Sequence, residues 1–240
     1  VAFGGVASAR PADSRTPGPI ESGAGPGWPA TLRPSDFTAR VDNPWFPLRP
    51  GSMYRYRGLK EGMRTVDVVK VTDRIRRILG VETTVVHDVV SVNGRPEETT
   101  DDFYAQDRHR NVWYFGENTK ELSSRGKVIS TEGSFRAGVD GARAGVLIPG
   151  HPKVGQTGRQ EFRRGQAEDH FKVLDLSAAV SVPFVSSHRA LRTVEWTPLE
   201  PKVLDNKYYV RGIGTVREVA VKGPVERLQL ISFRGRPPRP

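Results

Sequence analysis

Four side chains near the middle of the chain have the types that acid–base chemistry or ligand capture requires: His87, Glu98, Asp102 and Tyr104. A carboxylate beside an imidazole raises its pKa and fixes one tautomer, as a general base needs, and a phenol can serve as the acid. Such groups act together only if one face carries them. The surrounding stretch, residues 81–117, reads VETTVVHDVVSVNGRPEETTDDFYAQDRHRNVWYFGE. Asn93-Gly94 between alternating runs is a strong hairpin signal, because both central residues of a type I′ turn need positive φ.

The register can then be written down. With Val92 opposite Arg95, His87 faces Thr100 and lies diagonal to Glu98 and Asp102, about 7 Å away. The same register places Val85, Val89, Tyr104 and Tyr114 on the His87 face, and Val86, Val90, Val92, Phe103, Trp113 and Phe115 on the other. The candidate catalytic residues are therefore His87, Asp102 and Tyr104. A ligand site would draw on His87, Glu98, Asp102, Tyr104 and Tyr114. The commoner meaning of such a pair is a histidine bonded to an acid within a polar sheet face. An enzyme also needs a nucleophile or an oxyanion donor, and no G-x-S-x-G or H-E-x-x-H motif occurs. Whether the chain is an enzyme is left open.

Other clusters say less. Glu168-Asp169-His170, with Glu161 and either His87 or His151, has metal-ligand types, but consecutive strand residues point to opposite faces. Asp107-Arg108-His109-Arg110-Asn111 has oxygen donors at loop spacing, yet His109 and Arg110 stand where a calcium loop wants anions and glycine. It reads as a hairpin loop. No metal site is assigned and no cofactor is indicated. Gly212-Ile213-Gly214 joins strand to strand, with no helix N-terminus to hold a phosphate. Glu195 and Glu200 bracket Trp196 and could line a polar pocket, although such residues are more often rim charges.

Composition limits the partners. The net charge of +10 invites a polyanion, but the 37 basic residues are scattered among 27 acids and no nucleic-acid-binding signature is present, so no specific nucleic acid is expected. The chain has no Cys, which excludes disulfides, thiolate metal sites and thiol catalysis. No apolar run reaches the ~18 residues of a membrane span. Ala7-Ser8-Ala9 reads as the cleavage-site end of an export signal, which gives a secreted or cell-envelope location.

The elements that would position these groups are all strands. The 25 Gly and 19 Pro suit a sheet with many turns. Strands are expected at 52–58, 64–74, 80–92, 95–106, 112–116, 126–132, 158–163, 169–179, 188–197, 206–211, 214–222 and 225–233, with a short helix or bend near 75–79. Short connections force antiparallel pairing. Apolar residues on both faces of the central hairpin indicate an all-β fold, an antiparallel meander forming a curled sheet or barrel covered outside. Trp45 and Phe46 in NPWFP plug one end of its core, and the Gly-rich 133–158 forms a lid or an excursion across the barrel mouth. Residues 1–32 are an irregular Gly/Pro-rich arm and 33–240 a single β-rich domain.

The segments VDNPWFPLRPG, VVHDVV, TTDDFYAQD with NVWYFGE, EGSFRAGVDGA, AEDH, and EWTPLEP followed by KYYVRGIGTV resemble a bacterial family of uncharacterised exported β-rich proteins. The resemblance runs from about Asp36 to Val221 and implies export and an antiparallel sheet, but no reaction and no site residues. Two places depart from the pattern: His109 and Arg110 replace an Asp and Gly turn, and no Gly follows Pro183. The resulting expectation is an exported binding or structural module that holds a small amphipathic ligand and self-assembles as a homo-oligomer through its arm. The alternative is a hydrolase or isomerase using His87 with carboxylates in a barrel pocket.

Overall fold

A computed structural model of the chain describes residues 32–235. The arm read from residues 1–32 lies outside them except for Leu32. The strands are β1 (Phe37–Thr38), β2 (Met53–Lys60), β3 (Met63–Ile78), β4 (Val81–Val92), β5 (Arg95–Asp107), β6 (Val112–Leu122), β7 (Val128–Ser130), β8 (Phe135–Arg136), β9 (Arg143–Ile148), β10 (Thr157–Arg159), β11 (Glu161–Phe162), β12 (His170–Ser181), β13 (Ser186–Trp196), β14 (Leu204–Val210), β15 (Gly214–Lys222) and β16 (Arg227–Arg234). They pair in the order β10-β12-β13-β14-β15-β16-β2-β3-β4-β5-β6-β9-β11, and every described pairing is antiparallel. The fold is an all-β sheet curled almost into a barrel.

Local chemistry explains the meander. Glu61-Gly62, Leu79-Gly80 and Asn93-Gly94 all have positive φ at both positions, the geometry that reverses a twisted hairpin in two residues. The alternation in β2 points Tyr54 and Tyr56 inward while Arg55 and Arg57 face out. Residues 75–78, expected as a helix or bend, instead continue β3 to the turn at Leu79-Gly80, after a register shift between Val71 and Ile75. That irregularity bends the strand without ending it.

Two apolar clusters result. The inner one contains Tyr54, Tyr56, Val69, Val86, Tyr104, Tyr114, Phe171, Leu191, Tyr209 and Leu230, and is capped at one end by Trp45 and Phe46. Phe46 meets Tyr104 edge to face at 5.5 Å. Asn43 holds this cap: its amide group donates to the carbonyls of Arg110 and Pro149, and its side-chain oxygen accepts from Trp45 N–H. The outer cluster, Val85, Phe103, Trp113 and Phe115 among others, lies under Leu32 and Phe37. Phe37 packs edge-on against Trp113 and Phe115.

The stretch 133–158 is not a lid throughout. Within it β9 pairs with β6 and β11, and so forms part of the wall. Closure depends on one short run of chain. Residues 157–159 pair with β12, residues 161–162 pair with β9, and Gln160 stands between the two edges. Its N–H donates to Asp169 O at 2.8 Å and its side-chain amide to Leu147 O at 3.4 Å. A Cβ on Gly145 would come within 2.4 Å of Arg159 O, so the two edges approach this closely only because that residue has no side chain.

Candidate functional site

The predicted constellation is split by a single extra residue. The hairpin starts in the expected register, Val92 opposite Arg95 and Ser91 opposite Pro96, but Val90 then pairs with Glu98. Glu97 is bulged out beside Pro96, whose nitrogen cannot donate to the ladder. A one-residue slip exchanges the faces. His87 therefore pairs with Asp101, and Asp102 faces inward beside Val86.

His87, assigned to a ligand or catalytic site, lies outside the barrel with 39% of its side chain exposed. Its Nδ1 is 2.8 Å from Asp101 Oδ1, and Arg74 grips the same carboxylate through both terminal nitrogens at 2.7 and 3.1 Å. Burial opposes the charge on Asp101, yet the Arg74 and His87 hydrogen bonds hold its carboxyl below the usual range. Val85 also faces the outer cluster rather than a pocket. The acid–base device of His87, Asp102 and Tyr104 is not assembled.

The remaining predicted residues do come together, inside. Cross-strand rows run Tyr56, Asp67, Val90, Glu98, Glu121; Val69, Asp88, Thr100, Thr119; and Val71, Val86, Asp102, Glu117. Tyr114 donates to Asp102 Oδ1 at 2.6 Å and stacks on Tyr104 at 4.9 Å between centroids. Thr119 donates to Glu117 Oε2 at 3.0 Å. Beyond that, donors are scarce. Asp67 and Asp88 hydrogen-bond each other, which requires a proton between them, and the buried Glu98 Oε2 and Asp102 Oδ2 meet no donor.

Charge would be costly here, so protons are retained. Burial pushes the carboxyls of Asp67 and Asp102 up to about 7. Asp88 and Glu117 are raised well above the carboxylate range, first by burial and then by their acidic neighbours Asp67 and Asp102. Glu98 is raised as well, again chiefly by burial.

The opposite wall is built around Lys207, the one buried basic residue among the described residues. Lys207 Nζ is 2.8 Å from Glu195 Oε2 and 3.9 Å from Glu218 Oε2. Thr193 and Tyr209 hydroxyls donate to Glu195 Oε1 at 2.9 and 3.0 Å. Burial works against the ammonium, but Glu195 and Glu218 hold its pKa well above normal. Glu218, the more distant partner, is still pushed up to about 8 by burial. Near the seam, Glu161 is raised well above its ordinary value and Asp169 to about 6, both mainly by desolvation.

Several sequence readings are settled by this geometry. His170 stacks on Trp196 at 5.5 Å between centroids, while Asp169, just before β12, is desolvated and feels Lys207 and Glu195. Asp107 closes its hairpin, accepting from His109 and Asn111 N–H and from the side chains of Asn111 and Trp113. Glu195 is a buried ion-pair partner, not a rim charge. Asp67, Asp88, Glu117, Lys207 and Glu218 escaped the sequence reading. The available signal was their in-phase position with inward aromatics, Asp67 opposite Tyr56 and Lys207 two residues from Tyr209. No group of three or more acidic or histidine side chains among the described residues has the spacing to hold a metal ion.

No family model and no curated protein matches the chain. Two solved structures are similar to it. One is a candidate exported protein with YmcC-like fold from Bacteroides fragilis, 12% identical, with a TM-score of 0.46 over 80% of this chain and 99% of that one. The other is a candidate lipoprotein from Parabacteroides distasonis, 10% identical, with a TM-score of 0.40 over 79% of this chain and 98% of that one.

Proposed function

We propose that the chain is an exported barrel-like binding protein whose acidic inner wall, between β3 and β6, takes a small organic cation bearing an ammonium or guanidinium group. The observation that carries this reading is a crowd of buried carboxyls with no buried cation among the described residues beside them: Asp67 and Asp88 are left to hydrogen-bond each other, and Glu98 Oε2 and Asp102 Oδ2 meet no donor. Buried polar atoms are nearly always satisfied, and exceptions concentrate where a ligand or a function supplies the partner. An ammonium offers three donors and a guanidinium five, which suits carboxyls spread over cross-strand diagonals of ~7 Å. Spacing unsuited to a metal ion favours the larger cation.

Tyr104 and Tyr114 would cover the apolar part of such a ligand, so the expected amphipathic ligand keeps its aromatic lining while His87 leaves the site. In the unliganded protein burial pushes these carboxyls toward the protonated form. Binding a cation would replace those protons, so uptake should release them. Export is supported by the motif resemblance, and self-assembly through residues 1–32 is tested by size exclusion with and without them.

The test is titration calorimetry with 1,4-diaminobutane, guanidinium and ethylammonium at pH 6.5 in two buffers of different ionisation enthalpy. Saturable binding with a buffer-dependent heat is expected, weakened at least tenfold in Asp67→Asn/Asp88→Asn. Heats that do not saturate, or that are the same in the folded double variant, would exclude this reading.

A further inference from the structure

A second site lies outside the barrel and rests on different residues from the acidic interior. Where the NPWFP cap meets the bend in β3, an open-sided cavity of about 820 Å³ has an apolar floor that includes Val41, Leu48 and Ile75. Ile75 is 53% exposed and adds open apolar surface beside the largely buried Val41 and Leu48. Guanidinium groups stand around this floor. Arg40 is almost fully exposed, with 85% of its side chain accessible, and Arg110 is half-exposed. Arg211 lies over the Trp45 ring at 4.9 Å.

One acid faces them. Asp42 accepts from Arg110 at 3.1 Å and sits 3.9 Å from Arg40, so it orients the cluster but leaves cationic charge in excess. The Oγ1 of Thr84 donates to Ala39 O and ties this wall to β4.

We infer that this groove binds an anionic amphiphile, with a carboxylate or phosphate head on the arginines and a single hydrocarbon chain over Val41, Leu48 and Ile75. Guanidinium forks match both head groups in bidentate geometry, and a cavity of this size with few polar anchors is typical of small-ligand sites. Trp45 beneath Arg211 provides a reporter, because a head group that engages Arg211 must perturb the indole stack.

The experiment is fluorescence titration of the full chain with dodecanoate, dodecyl phosphate and dodecyltrimethylammonium below their micelle concentrations, with Trp45→Phe identifying the responding ring. Saturable binding of an anionic probe is expected, with at least tenfold weaker binding in Ile75→Glu and in Arg40→Glu, two exposed positions. The dodecanoate and phosphate arms tell a fatty acid from a phosphate-headed ligand. Equal binding of the trimethylammonium probe, unchanged affinity in both variants, or no saturation with either anion would overturn the inference. Loss of this site would leave diamine binding inside the barrel unaffected, so the two proposals fail separately.

Discussion

The two inner walls of the barrel bury the same kind of group and treat it differently. On the β13–β15 wall Glu195 has an ammonium at 2.8 Å and two hydroxyl donors. On the β3–β6 wall the five carboxyls of Asp67, Asp88, Glu98, Asp102 and Glu117 have Tyr114 and Thr119 as hydroxyl donors, and no cation among the described residues is buried beside them. The comparison shows that burial alone does not decide the state of an acid. A close ammonium offsets the cost of burying an acid, whereas a carboxyl without a cation is pushed toward its protonated form and offers an acceptor that a ligand could satisfy.

The largest effect is expected from breaking the paired wall. Lys207→Met should cost about 3–5 kcal/mol at pH 8, because it leaves Glu195 buried without its cation. Urea unfolding should show that cost shrinking at pH 5, where the neighbouring carboxyls can protonate.

A smaller change of opposite sign distinguishes the unpaired wall. The unfolded chain releases the Asp67 proton near its ordinary value, while the folded protein keeps it to about 7. The folded state therefore binds the extra proton between those limits. Its contribution to stability is complete below pH 4 and is lost as pH rises through 7. Asp67→Asn should match the parent at pH 4 and exceed it by about 1–3 kcal/mol at pH 8. If the two unfolding curves stay parallel across that range, Asp67 is charged and the contrast between the walls disappears.

The smallest effect belongs outside. The His87, Asp101 and Arg74 group is half-exposed and screened by solvent, so His87→Ala should change stability by no more than about 1 kcal/mol. Binding of diamines should be untouched. A tenfold loss of affinity in that variant would put the imidazole back into the site and undo the assignment of faces.

Much of the fold could be read from local pattern. Asn93-Gly94, the alternation Tyr54-Arg55-Tyr56-Arg57 and the rigid cap at Trp45 and Phe46 are short-range signals, and the structure follows them. The site was less legible for a specific reason. A bulge depends on where the ladder lacks a donor and where the sheet must curl, so Glu97 looked like any other strand residue. That one residue moved His87 out. It also separated Asp102, Glu98 and Tyr104 from the imidazole expected to anchor them.

The buried acids were hidden by a different ambiguity. Where both faces of a strand are apolar, as around Asp67 and Asp88, alternation cannot say which side is solvent. The polar residue is then assigned outward by default. β9 was missed because RAGVLI sits among glycines that suggested a loop, and its pairing with β6 is long-range.

Because both rims of the sheet are tied by the same run, residues 157–162, the molecule has two potential sticky edges guarded by one latch. Detaching that run would bare β9 and β12 together, each a row of backbone groups able to recruit a strand from another molecule. That single span thus occupies, on both sides at once, the backbone groups through which a neighbouring chain would otherwise add a strand.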